Sequence, residues 1–208
     1  MTSINFRELP HLPKVPDHFI SEILTQANEQ LTTITPVFGF DHFKIDPGVQ
    51  EHMEKEFTDK IFENNIGVRG TEAIKLYPNN AKFAFLTVSK ELEDWCFTNI
   101  STEAIVNIIY IYSGEFSLPH VDPMRTTAYN YIISTGGDNV RTCYWEPKDE
   151  YKHLNITPLA YVPYDKINLI DEAVFQQDNW YQLNVSKIHS VEGIDRTKKR
   201  IILTVSFK

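Results

Sequence analysis

The first hundred residues carry the hydrophobic spacing of amphipathic helices. Apolar side chains recur every three or four positions after Pro16, which predicts a helix with Asp17 as its N-cap. The same spacing after Asp46-Pro47 predicts a second helix, and a third, shorter one is predicted from Lys90 to Phe97. The apolar residues of the first two helices are Phe19, Ile20, Ile23, Leu24, Ala27 and Leu31, then Val49, Met53, Phe57 and Ile61.

Short runs rich in β-branched and aromatic residues predict strands, most of them after residue 104. Ala73 to Tyr77 and Lys82 to Val88 are predicted to form a hairpin around Pro78-Asn79-Asn80. The turn residues Gly136-Gly137-Asp138-Asn139 predict a second hairpin, between the strands on either side of them. The predicted strands of this second part are Ile105 to Tyr112, Thr126 to Ser134, Val140 to Trp145, Leu159 to Val162, Lys166 to Ile170, Trp180 to Val185 and Arg200 to Phe207.

The order of these elements predicts the fold class. Many short strands, with helices confined to one end of the sequence, indicate a mainly β (α+β) fold: a double-stranded β-helix, or jelly roll, with flanking N-terminal helices. Since no linker divides the chain, we expect a single domain over residues 1–208. In it, a helical region with a β-hairpin (1–103) packs on a jelly-roll core (104–208).

Composition and charge narrow the classes of protein. The chain has 208 residues, 42% of them hydrophobic, and a net charge of −8, which disfavours a nucleic-acid partner. The two cysteines, Cys96 and Cys143, form no CxxC pair and indicate free thiols in a reducing compartment. No signal peptide and no membrane-spanning run are recognised. We therefore expect a soluble, cytoplasmic protein that acts on a small-molecule or peptide substrate, while its oligomeric state is not predicted.

A candidate metal site begins at His120-Val121-Asp122. This tripeptide follows Pro119 in an extended stretch, where positions i and i+2 project to the same side, so both side chains can face one metal ion. His189, which follows the predicted strand Trp180 to Val185, is the best candidate for a third ligand. Two imidazoles and one carboxylate with open coordination positions are typical of non-haem Fe(II) oxygenases. The alternatives are a surface turn at Pro119 and a buried, hydrogen-bonded histidine at 189.

Arg200 lies eleven residues after His189 and opens the last predicted strand. Both faces of that strand are largely apolar, so an arginine there needs an anion. The planar guanidinium matches a carboxylate with two parallel hydrogen bonds, which fits a dicarboxylate co-substrate. Alternatively, Arg200 is the last residue of a solvated basic turn that begins at Arg196.

His120, Asp122, His189 and Arg200 together resemble the Fe(II)/2-oxoglutarate-dependent dioxygenases of the double-stranded β-helix fold. Over about residues 104–208, the resemblance is nearest to the aspartyl/asparaginyl β-hydroxylase-like and prolyl-hydroxylase-like branches. It implies that His120, Asp122 and His189 are the catalytic Fe(II) ligands. It also implies that 2-oxoglutarate chelates the metal and places its far carboxylate on Arg200, with O2 as co-substrate and ascorbate as a candidate reductant. The implied reaction is hydroxylation of an amino acid, a peptide or protein side chain, or a small metabolite.

Other side chains are candidates for ligand contacts. Tyr129 and Tyr131 share one face of a strand, and their hydroxyls could donate to the co-substrate; the alternative is packing. Arg125 and Arg141 could bind an anionic group or be ordinary exposed arginines. At the level of function, one alternative is a non-catalytic jelly-roll binding or structural protein with a vestigial metal site. Another is a cupin-type metalloenzyme that needs no keto acid.

Overall fold

Two antiparallel β-sheets face each other in the structure, a computed structural model that describes residues 5–29, 64–68, 70–122, 125–157 and 160–207. The strands are β1 Phe6–Glu8, β2 Lys82–Leu86, β3 Ile105–Ser113, β4 Ser117–His120, β5 Thr127–Thr135, β6 Arg141–Pro147, β7 Ile167–Ala173, β8 Trp180–Asn184, β9 Ile188–Glu192 and β10 Arg200–Phe207. The described helices are α1 Asp17–Glu29, α2 Gly70–Leu76 and α3 Lys90–Asn99, with 3-10 turns at Asp149–Tyr151 and Tyr164–Lys166. No helix of these ranges combines the length and apolar character needed to span a bilayer.

The strand order confirms the predicted double-stranded β-helix. The six-stranded sheet has the order β1-β8-β5-β10-β3-β2, and the four-stranded sheet the order β4-β9-β6-β7. From β3 to β10 the chain passes to the other sheet at every connection except the one between β6 and β7. The N-terminal strands β1 and β2 extend the larger sheet at its two edges. This winding leaves one face of each sheet directed towards the interior.

Helices α1 and α3 cover the outer face of the six-stranded sheet. The helix α1 buries Phe19, Ile23 and Ala27, which the spacing predicted, and α3 buries Leu92 and Cys96. These side chains form one cluster with apolar residues of β3, β5 and β10. Asp17 is the first residue of α1 rather than its cap, and Leu31 and the predicted helix over 46–61 lie outside the described residues.

The hairpin predicted around Pro78-Asn79-Asn80 is wrong. Residues 73–76 belong to α2, and β2 pairs with β3, with Ala84 opposite Tyr110. Ala73 is buried as one side of a helix. A run of five residues is too short for its period to separate strand from helix, and its alanine, lysine and leucine favour the helix.

The second predicted hairpin is also wrong, although its strands exist. β5 pairs with β8 and β10, whereas β6 pairs with β7 and β9 in the other sheet. Gly136 has a φ of 80°, and a Cβ there would lie 2.7 Å from the Cβ of Arg200. Because residue 136 is a glycine, the chain can pass close to β10 on its way to the facing sheet. Turn residues predict a change of direction but not whether the next strand pairs with the last one.

The predicted strand Leu159 to Val162 is replaced by isolated pairings. Tyr161 forms antiparallel bridges with Val68 and with His120, and Leu159 lies outside the described residues. The segment around Tyr161 therefore borders the edge strand β4, at the residue where the candidate metal site begins.

Candidate metal centre

The pairing of β4 with β9 brings the two candidate histidines together. His120 is the last residue of β4 and lies directly opposite His189, the second residue of β9. Pro119 is tolerated just before it because β4 is an edge strand, where a missing backbone N–H breaks no ladder. The two imidazole ring centroids are 4.5 Å apart.

Asp122 completes the cluster from the loop that follows β4. Its backbone N–H donates to the carbonyl of Val185, just past β8, with an N···O distance of 3.0 Å. Its Oδ1 lies 3.3 Å from His120 Nε2 and 3.8 Å from His189 Nε2. One ligand atom from each residue lies within 4.8 Å of the others. The structure thus brings all three predicted ligands to one point.

Backbone carbonyls orient both imidazoles. Nδ1 of His120 donates to Leu118 O at 2.7 Å, and Nδ1 of His189 donates to Lys187 O at 2.9 Å. These hydrogen bonds place a ring proton on Nδ1 of each histidine and leave Nε2, which faces the carboxylate, as the nitrogen that can bind a metal ion. Both histidines are therefore held in the orientation that a metal ion requires.

The charges of the three groups are strongly coupled. Burial, together with the neighbouring His120, lowers the pKa of His189 to about 4. Burial alone would lower the pKa of His120 and raise that of Asp122. Their mutual hydrogen bond and the attraction between opposite charges together outweigh this effect, so the pKa of His120 is raised and that of Asp122 is held well below its usual range. A metal ion would bind the ionised carboxylate and take the place of the proton on His120 Nε2.

The donor set and its spacing fit a divalent metal ion. Metal–nitrogen and metal–oxygen bonds are about 2.1 Å long, so neighbouring ligand atoms on one ion are about 3 Å apart. The distances of Asp122 Oδ1 to the two Nε2 atoms, 3.3 and 3.8 Å, approach this value. Two imidazoles and one carboxylate suit Fe(II), and three protein ligands leave three positions of an octahedron open.

Arg200 points into the same interior from the first position of β10. On this strand Ile201, Leu203 and Val205 join the outer cluster, so Arg200 lies on the opposite, inner face. Its side chain is buried, Nη1 donates to Thr135 O at 2.8 Å, and Nε has no hydrogen-bond partner among the described residues. Burial lowers its pKa to about 10, and none of the described carboxylates pairs with it. A buried guanidinium without an anion is the unsatisfied group that a carboxylate ligand would complete.

A row of polar side chains crosses the inner face between Arg200 and the metal end of β10. Thr204 lies opposite Asn130 of β5 on one side and Asn107 of β3 on the other. Asn130 Oδ1 is buried and has no hydrogen-bond partner in the part of the chain that the structure describes. We did not predict this row from the sequence, although an asparagine inside a hydrophobic strand, where the residue is disfavoured, was a signal for it.

Tyr129 and Tyr131 are on the wrong face of β5 to contact a ligand beside Arg200, which corrects that expectation. Tyr131 is buried in the outer cluster, 5.1 Å from the Trp180 ring, and Tyr129 packs 4.6 Å from the Phe207 ring. The two tyrosines do share a face, as the alternation predicted. Which face turns inwards depends on how β5 pairs with β10, and a shift of one residue exchanges the two faces.

The two other arginines have different surroundings. Arg125 Nη2 lies 2.6 Å from Asp122 Oδ2, beside the metal ligands. Arg141 instead pairs with Glu172 on the neighbouring strand at 3.0 Å, with about half of its side chain exposed. Of the two, only Arg125 is part of the site.

Comparison with known proteins gives matches among solved structures only. No protein-family model and no curated protein matches the chain. A Pseudomonas putida prolyl-4-hydroxylase is similar with 10% identity and a TM-score of 0.43, over 98% of this chain and 92% of that one. The non-haem α-ketoglutarate-dependent epimerase SnoN from nogalamycin biosynthesis has 8% identity and a TM-score of 0.40, over 97% and 77%. Procruciferin, an 11S globulin from Brassica napus, has 10% identity and a TM-score of 0.34, over 63% and 26%.

Proposed function

We propose that the protein is a non-haem Fe(II)- and 2-oxoglutarate-dependent dioxygenase that hydroxylates an amino acid, a peptide or protein side chain, or a small metabolite. The observation that carries this proposal is the cluster of His120, Asp122 and His189 in an interior that also holds Arg200, whose buried guanidinium pairs with none of the described carboxylates. When bound, iron and the keto acid supply the oxidative chemistry, in which decarboxylation to succinate is coupled to oxidation of a C–H bond.

The three ligands would hold Fe(II) through two imidazole nitrogens and one carboxylate oxygen. Their orientation is set before the metal arrives, because both Nδ1 atoms are tied to backbone carbonyls and the Asp122 backbone is tied to Val185. Such preorganisation avoids the cost of ordering flexible side chains around the ion. The single carboxylate charge also leaves the bound ion with a net positive charge that attracts an anionic co-substrate.

Arg200 would receive the far carboxylate of 2-oxoglutarate. Leaving a guanidinium buried without an anion is costly, and a carboxylate supplies both the opposite charge and two hydrogen-bond acceptors. Thr204 and Asn130 lie between Arg200 and the metal end of the strand, where they can hydrogen-bond to the body of the diacid. The apolar residues between them, such as Ile202, keep water from this ligand.

The decisive experiment is succinate formation by the purified protein with Fe(II), O2, ascorbate and 2-oxoglutarate. Thermal unfolding gives a substrate-free measurement, since ligands that bind the native state raise its stability, by about 2.7 kcal/mol at one hundred times their Kd. We expect Mn(II) and 2-oxoglutarate together to stabilise the protein more than either alone. His189→Ala should abolish this effect, whereas His11→Ala, at an exposed position, should retain it.

The outcomes separate the proposal from its rivals. A non-catalytic jelly-roll protein would not be stabilised by Mn(II) and would form no succinate. The proposed activity would be refuted by a lack of stabilisation by Mn(II), or by a lack of succinate with every substrate pool that is tried. A cupin-type metalloenzyme would bind the metal but respond in the same way to 2-oxoglutarate whether Arg200 is present or replaced by alanine.

A further inference from the structure

Arg125 connects the metal cluster to the last strand of the six-stranded sheet. Its Nη2 lies 2.6 Å from Asp122 Oδ2, and its Nη1 donates to the hydroxyl of Ser206, near the end of β10. Only 24% of the Arg125 side chain and 10% of that of Asp122 are exposed. The guanidinium thus forms a mostly buried bridge between a candidate metal ligand and the sheet.

This bridge divides the two oxygens of Asp122 between two tasks. Oδ1 faces the Nε2 atoms of His120 and His189, at 3.3 and 3.8 Å, while Oδ2 is taken by Arg125. A charge-assisted bond of this length is among the stronger hydrogen bonds in proteins. Rotation of the carboxylate to present both oxygens to a metal would break it.

We propose that Arg125 is a positioning residue that holds Asp122 as a one-oxygen metal ligand and so keeps three coordination positions open. The inference rests on the proposed metal site. Three single-atom ligands leave three positions of an octahedron free, which is enough for the two donor atoms of a keto acid and one further ligand. A carboxylate bound through both oxygens would take one of these positions.

The contact between Arg125 and Asp122 is not needed to anchor the loop that follows β4. That loop is already tied to the end of β8 by the hydrogen bond from the Asp122 N–H to Val185 O. The guanidinium acts on the carboxylate group itself, and Ser206 holds the guanidinium in place from β10. Hydrogen-bond partners of metal-ligating side chains orient those side chains, and the loss of such a partner changes metal affinity or activity by about 10- to 100-fold.

The test compares Arg125→Met with Arg141→Met. Arg141 is a matched control because it also pairs with a carboxylate, at 3.0 Å, but on the exposed part of β6. We expect Arg125→Met to retain Mn(II) and to weaken 2-oxoglutarate binding to the Mn(II) protein by about tenfold. The absorption spectrum of the Co(II)-substituted protein should change as the carboxylate rotates. Arg141→Met should leave both measurements as in the wild type.

Two further variants separate orientation from charge and from stability. Arg125→Lys keeps the positive charge but cannot span Asp122 and Ser206 with one planar group, so we expect only partial recovery of 2-oxoglutarate binding. If Arg125→Met does not fold, Ser206→Ala leaves the ion pair intact and should shift the Co(II) spectrum in the same direction by a smaller amount.

The measurements distinguish a failure of the proposed metal site from a failure of the role proposed for Arg125. If the wild type binds no Mn(II), the proposed metal site and this inference fall together. If it binds Mn(II), the inference alone is overturned by an Arg125→Met protein with unchanged Co(II) spectrum and keto-acid affinity. Full recovery by Arg125→Lys would also overturn it, because charge alone would then explain the effect.

Discussion

The two faces of the eight-residue strand β10 carry different kinds of side chain. Its outer face presents Ile201, Leu203 and Val205 to the helices, all almost completely buried in one apolar cluster. Its inner face presents Arg200, Thr204 and Ser206 to the facing sheet, and there Arg200 Nε finds no partner within the described ranges. Apolar burial stabilises the fold, whereas buried polar groups lacking partners cost stability and indicate ligand binding. The alternation of a single strand thus separates stability from proposed function.

The largest effect is expected from His189→Ala, on the inner side. Removing one of three ligands should weaken Mn(II) binding by about 1000-fold or more, which corresponds to about 4 kcal/mol. The unfolding midpoint without metal should change little, because the variant removes a group that serves the ion rather than the core. Metal titration followed by electron paramagnetic resonance measures the first quantity and calorimetry the second. If His189→Ala binds Mn(II) normally, His189 is not a metal ligand and the proposed role of the inner side is wrong.

Leu203→Ala tests the outer face with the next largest effect. Leu203 is fully buried among the helices and the sheet, so its truncation should lower the free energy of unfolding by about 3 kcal/mol through lost burial and a cavity. Denaturant unfolding measures this loss. At a temperature where the variant remains folded, its Mn(II) affinity should equal that of the wild type; a weakened metal site would mean that the two faces are coupled.

Arg200→Met should have the opposite effect to Leu203→Ala, with weaker ligand binding and no loss of stability. We expect 2-oxoglutarate binding to weaken by about 2 kcal/mol, the scale of a hydrogen-bonded charge pair, with Mn(II) affinity unchanged. The free energy of unfolding should stay the same or rise, because the substitution removes a buried charge without a described carboxylate partner. Isothermal titration and denaturant unfolding give the two values. A strongly destabilised variant would indicate that Arg200 is structural.

Thr204→Val gives the smallest expected effect and sharpens the position of the diacid. The change removes one hydroxyl from the polar row and keeps the shape of the side chain. If the hydroxyl bonds to the co-substrate, 2-oxoglutarate binding should weaken by about 1 kcal/mol. Thr98→Val, on the exposed part of α3, is the matched control and should bind 2-oxoglutarate normally. Equal affinities in both variants would place the diacid away from Thr204.

Local pattern was a good guide where one element has one strong period. The strand β10 begins at Arg200 and ends at Phe207, as its alternation predicts, and α1 buries Phe19, Ile23 and Ala27 at helical spacing. The pattern failed for Ala73 to Tyr77, which is too short to show a period. It also failed at Gly136, where the turn leads to the other sheet.

The sequence by itself determined which chemistry is available: two histidines, one aspartate and one arginine, each predicted to lie in or beside an extended segment. Only the tertiary structure decided that His120 faces His189, that the inner side of β5 carries Asn130 rather than Tyr129 and Tyr131, and that Arg125 meets Asp122. The physical reason is that alternation defines two faces for each strand but does not choose between them. That choice comes from pairing between segments far apart in the chain, where one step of register exchanges the faces.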